Sequence, residues 1–168
     1  VEELRESEQR FRFMAENTAD VIWILDIASG RFSYVSPSVQ SLRGFTVEEV
    51  MSQPVTAALT PESAQRTQAV LAESLARWQA GDRTNEPRIT EVDQPHKDGH
   101  IIHTEVVTTL NADAEGNVVS VLGVTRNITE RRQMEEKIRQ LAFHDALTGL
   151  PNRRLMMDRL QQAIATCR

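Results

Sequence analysis

The sequence predicts an α+β fold built around one antiparallel sheet. Strand-like segments, rich in β-branched residues, gather at the two ends of the stretch from residue 20 to 125. Helical signals fill its middle, giving the order ββ, helices, βββ. The strands within each group are joined by short Gly-containing turns, which makes neighbours antiparallel. Composition permits a core: of 168 residues, 40% are hydrophobic and 26% charged, with only 7 Gly and 6 Pro. That is a globular balance and not a disordered one.

Each element has a local reason. Leu4, Phe11, Ala15 and Thr18 recur at about heptad spacing in a charged segment, so residues 2–16 read as an amphipathic helix. The segment Asp20-Val21-Ile22-Trp23-Ile24-Leu25-Asp26 is an apolar, β-branched strand. Ser29-Gly30 turns the chain into a second strand, Arg31–Ser36. Ser36-Pro37 reads as an N-cap followed by proline at the first helical position, opening a short helix to Arg43. Thr46-Val47-Glu48-Glu49 fits a capping box for the next helix. Thr60-Pro61-Glu62 opens a longer one through Gln79, with Val70, Leu71, Leu75 and Trp78 on one side and Gly81 beyond its end. Three strands follow: Arg88–Gln94, His100–Leu110 and Val118–Thr125, separated by turns at Lys97–His100 and Asp113–Asn117. Thr129–His144 is a second charged helix whose Met134, Ile138 and Leu141 form a 4,3-spaced coiled-coil seam. Gly149-Leu150-Pro151 ends it, and Arg153–Ala165 is a last helix.

Charge and composition exclude several functions. Net charge is −5; residues 1–127 hold 11 basic and 19 acidic side chains, and residues 128–168 hold 8 and 5. The main domain therefore repels a phosphate backbone, and no nucleic-acid partner is expected. The apolar run Val21–Leu25 is too short for a bilayer span, which needs about 20 such residues, so no membrane segment is expected. The charged start, Val1-Glu2-Glu3-Leu4-Arg5-Glu6, does not fit a secretory signal. A single cysteine, Cys167, allows no internal disulfide and no multi-cysteine metal site. The expected location is the cytoplasm.

The order of these segments resembles the PAS domain over roughly residues 8–130. The resemblance rests on Ile22-Trp23-Ile24-Leu25-Asp26, Tyr34-Val35-Ser36-Pro37-Ser38, Leu42-Arg43-Gly44-Phe45, Glu48-Glu49-Val50, Asp98-Gly99 and Val124–Arg131. It implies a five-stranded sheet with the helices packed on one face, flanked by the two amphipathic helices. The implied division is an N-terminal helix over 1–17, the PAS domain over 18–128 and a signalling helix over 129–147. Asn127 stands where the family usually has Asp; it can cap the exit helix, with Thr129 opening that helix and Glu130 as capping-box partner. These three residues form the expected signalling junction.

Residues 143–154, Phe-His-Asp-Ala-Leu-Thr-Gly-Leu-Pro-Asn-Arg-Arg, resemble the start of a GGDEF (diguanylate cyclase) domain, here taken as 148–168. Asp145, Leu147, Thr148, Asn152 and Arg153 carry that motif and would serve the domain junction, not the chemistry. The catalytic loop and its carboxylates are expected downstream of Arg168, so GTP and Mg belong to that missing part and this fragment should be no enzyme. The implied function is a sensory and dimerisation module regulating cyclic di-GMP synthesis. Two alternatives stand beside it: a sensor fragment of a histidine kinase, and a ligand-free dimerisation scaffold. The kinase reading lacks the Arg-Thr-Pro that should follow His144-Asp145.

For a ligand pocket the candidates are Trp23, Tyr34, Phe45, Arg43 and Trp78. The plainer reading of the aromatic residues, Phe32 included, is core; Arg43 is a candidate to meet an anionic ligand in the cavity, and its plainer reading is a solvated helix end. The ligand itself is unknown. Cys167 lies outside the PAS match, so no cysteine-adduct flavin is expected; the Thr60–Gln79 helix has no His, so no histidine-ligated haem is expected. His96, His100 and His103 read as a surface turn without carboxylates at ligand spacing, and no metal is expected. The seam Met134, Ile138, Leu141 needs a partner surface, and a homodimer supplies one by symmetry.

Overall fold

The computed structural model describes residues 18–143 together with 150, 152, 156, 157 and 162. The expected N-terminal helix lies outside the described residues, as do Asp145, Leu147, Thr148 and Arg153. The chain divides into two compact units, Val1–Ile128 and Thr129–Arg168.

In the first unit a hairpin, β1 (Val21–Asp26) and β2 (Arg31–Val35), leads into α1 (Ser38–Arg43), α2 (Val47–Ser52), a 3₁₀ turn (Val55–Ala58) and α3 (Pro61–Gln79). Then come β3 (Arg88–Pro95), β4 (Ile101–Ala112) and β5 (Val118–Asn127). The five strands form one sheet in the order β2-β1-β5-β4-β3, every pair antiparallel. The α+β class and the five-stranded sheet are as the sequence predicts. β2 and β3 are opposite edges, so the helical segment joining them must cross the sheet. Val21, Val35, Val39 and Val50 form a buried cluster between sheet and helices, with Trp23, Phe32, Leu42 and Phe45 packed against it.

Two of the helix starts are set by the caps read from sequence. The Thr46 side chain accepts from the Glu49 N–H, and the Glu49 carboxylate accepts from the Thr46 N–H at 2.9 Å. Thr60 caps α3 by accepting from the Ser63 N–H, with Pro61 at the first position. Thr46→Ala should therefore destabilise the first unit by about 1 kcal/mol, read as a lower urea midpoint at unchanged slope.

The third start differs. The residue before α1 is Pro37, which has no side chain able to cap, and Ser36 does not cap either. Ser36 is fully buried and turned toward β1: its Oγ accepts from the Ile22 N–H at 2.9 Å and bonds Ser38 Oγ at 2.7 Å. Its own N–H donates to the Ile22 carbonyl. The serine closes the end of the hairpin ladder instead of starting the helix. α1 ends at Gly44 with φ 76°, a left-handed position that suits glycine, and an added Cβ there would lie 2.9 Å from His96 Cε1.

In the second unit α4 (Thr129–Phe143) has no buried residue. Met134, Ile138 and Leu141 are 66%, 66% and 60% exposed. Asn152 closes the helix: its Nδ2 donates to the Ala142 carbonyl at 2.7 Å and its backbone N–H to that of Phe143 at 2.8 Å. Of the last expected helix, Met156, Met157 and Gln162 are helical among the described residues. Among the described residues, no helix is long and apolar enough to cross a membrane.

Candidate functional site

Between the helices and the sheet lies a cavity of about 410 Å³. That is a volume typical of small-molecule sites, roughly 300–1,000 Å³. β1 supplies Val21, Trp23 and Leu25, at alternate positions and so on one face. α3 supplies Leu71 and Trp78 from the opposite side.

Three of the five pocket candidates line this cavity. Trp23 meets Phe32 edge-on at 5.5 Å, and its indole N–H donates to Thr125 Oγ1 at 2.9 Å. Trp78 donates to the Gly116 carbonyl at 2.9 Å, under the Arg83 guanidinium. Arg43 is only 4% exposed, so the reading of a solvated helix end is corrected. Its Nε donates to the Pro95 carbonyl at 3.3 Å and its Nη2 to that of Ala57 at 3.4 Å. Burial pushes the guanidinium pKa below its usual value, because desolvation penalises the charged form.

Tyr34 and Phe45 do not line the cavity. The ladder pairs Leu25 with Phe32 but Ile24 with Tyr34, so Ser33 is an extra residue in β2. This bulge keeps Phe32 and Val35 on the cavity face and turns Tyr34 to the other. Phe45 lies beyond Gly44 and packs on the core cluster, its ring 5.1 Å from the Arg43 guanidinium. Sequence reading missed the lining residues Thr90, Val92 and Gln94, which face inward at every second position of β3. Along that strand the apolar Ile89 is exposed while Thr90 and Gln94 point in. Polar inward positions suit a cavity better than a dry core.

At the rim Asp82 accepts from Thr84 and from Arg77, and these bonds hold its carboxyl down at about 2. At the β3–β4 turn a correction is needed. Asp98 Oδ1 lies 2.9 Å from His96 Nδ1 and 2.5 Å from His100 Nδ1, so a carboxylate does accompany these histidines. The hairpin brings the two imidazoles into a stack at 4.4 Å. The His100 backbone N–H, followed by the two rings, holds Asp98 at about 2. His103 stands apart, bonded to Asp93 at 2.6 Å.

The exit from the sheet is at Asn127, the last residue of β5, opposite Thr104 of β4. Beyond it Ile128 is buried, and its N–H donates to the His103 carbonyl. Thr129 and Glu130 follow as the first turn of α4.

The family model for the PAS fold matches residues 9–128. The chain belongs to the PAS family. PAS domains are sensory parts of signalling proteins and are not themselves catalytic. This PAS chain is 28% identical over 168 residues to protein y4lL of Sinorhizobium fredii, covering 96% of this chain and 19% of that protein. It is 46% identical over 74 residues to a signalling protein of Caulobacter vibrioides, covering 42% of this chain and 9% of that protein. It thus spans less than a fifth of the length of either relative. Among solved structures it resembles the N-terminal domain of a diguanylate cyclase with PAS/PAC sensor from Marinobacter aquaeolei. The TM-score is 0.53 at 17% identity, covering 67% of this chain and 98% of that one. That likeness is one of fold.

Proposed function

We propose that this PAS domain is the sensory and dimerisation module of a longer cytoplasmic protein, where it regulates a C-terminal diguanylate cyclase. The observation that carries the reading is that Asn152, one residue of the proposed output motif, bonds the end of α4. Its side chain and backbone N–H donate to the Ala142 and Phe143 carbonyls, which supports a continuous connection from the helix to the proposed output domain. Ile128 anchors the other end of the connection in the sheet domain. Cavity occupancy would bias the pitch or spacing of paired α4 helices, and with it the meeting of two cyclase domains. Asn127, Thr129 and Glu130 are the joint through which that bias passes.

The full-length gene product, given GTP and Mg, is expected to form cyclic di-GMP, while the 168-residue chain forms none. Phosphate transfer from ATP to a histidine of the full-length protein, with no cyclic di-GMP, would establish the kinase alternative instead.

A further inference from the structure

We infer that the cavity is built for an organic anion with an apolar body, its anionic group facing Arg43 and a neighbouring hydrogen-bond donor facing Gln94. This rests on the sensory reading above and deepens it by naming the chemistry of the ligand.

Arg43 and Gln94 are 4% and 7% exposed, and both line the cavity. Arg43 Nε bonds the carbonyl of Pro95, the residue after Gln94, so the two polar heads share one end of the cavity. A guanidinium has five N–H donors. Arg43 spends donors on only two carbonyls, those of Pro95 and Ala57, and among the described residues no carboxylate pairs with it. The two other arginines lining the cavity are neutralised: Arg77 by Asp82 and Arg88 by Glu73. Taking a charge out of water without a counter-charge is costly, and native proteins rarely leave it so. A bound anion supplies the missing partner.

Gln94 gives the second, independent mark. Its Oε1 is buried with no hydrogen-bond partner among the described residues, a state found for few buried polar atoms. An amide oxygen accepts, so the ligand must donate. Beyond these heads apolar side chains, Val21, Leu25, Leu71, Val92 and Val106, give most of the wall its character, with threonines such as Thr90 and Thr125 among them. With about 30 Å³ for each water-sized group, 410 Å³ holds roughly a dozen. A carboxylate or phosphate on an apolar body of that size, with a hydroxyl or amine beside the charge, meets every one of these features.

The test is calorimetric titration of the whole chain with three probes of equal length: 2-hydroxydecanoate, decanoate and 1-decanol. Decanoate is expected to bind at least tenfold more tightly than decanol, and 2-hydroxydecanoate more tightly still. Arg43→Met should bring decanoate to the level of decanol without weakening decanol. Gln94→Leu should erase the advantage of the 2-hydroxyl. Decanol binding as well as decanoate overturns the anion assignment and leaves a ligand-binding cavity. Equal binding of the two acids overturns the role given to Gln94. Failure of all three to bind overturns the inference together with the cavity's sensory role. The wild-type comparison needs no variant, so a misfolded Arg43→Met leaves it decisive.

Discussion

Gly123→Ala is expected to destabilise the sheet domain by about 3 kcal/mol, at the top of the usual range for overpacking. Gly123 stands opposite Trp23 in the β1–β5 ladder, and the indole lies across it. A Cβ built there would be 2.1 Å from Trp23 Cζ2 and 2.2 Å from Cε2. The ring has little room to yield. Its N–H is bonded to Thr125 Oγ1, and Phe32 meets it edge-on. Space, not backbone conformation, demands glycine here, since Gly123 is not among the residues of positive φ. Urea unfolding followed by tryptophan fluorescence measures the loss. Trp23→Leu should absorb most of it, so the double variant should show a favourable coupling energy. Equal midpoints for wild type and Gly123→Ala would mean that the indole does not rest on this residue.

What was legible in the sequence was local. The strands announced themselves by β-branched runs, and Gly30, Gly99 and Gly116, all at positive φ, turn the chain where turns were expected. The caps at Thr46 and Thr60 need only residues three apart. What was hidden depends on partners far along the chain. Nothing near Ser33 signals a bulge; it exists because β2 must follow the register of β1, and it decides that Tyr34 faces away from the cavity. Ser36 looks like a cap until the Ile22 N–H, 14 residues away, claims its hydroxyl. Arg43 sits at a helix end, where cations are normally solvated, yet the 3₁₀ turn and the end of β3 close over it. The strand at β3 was visible, but not which of its faces turns inward, because polar inward positions make sense only around a cavity.

Replacing both Ile138 and Leu141 by Asp is expected to turn the proposed dimer into a monomer. α4 is a 15-residue helix with no buried side chain, and isolated helices of that length are marginal in water. Ion pairs along it, such as Arg131 with Glu135 at 3.8 Å and Arg139 with Glu136 at 3.7 Å, are exposed and contribute little. Met134, Ile138 and Leu141 form the seam left to stabilise it, and burying each against a second copy is worth about 1.5–3 kcal/mol. Symmetry counts each twice. Two Asp side chains remove two of the three contacts and put charges into the apolar seam, where burial penalises them. Sedimentation equilibrium should show a dimer for the wild type and a monomer for the double variant. The melting of the sheet domain should stay within about 0.5 kcal/mol, because surface changes outside its core rarely do more. Under the proposed function the same pair should also abolish cyclic di-GMP formation by the full-length protein, since that product would join two GTP molecules held by two cyclase domains. A double variant that remains dimeric would move the interface to the N-terminal segment, and α4 would then carry the signal as a lone lever rather than as one half of a coiled coil.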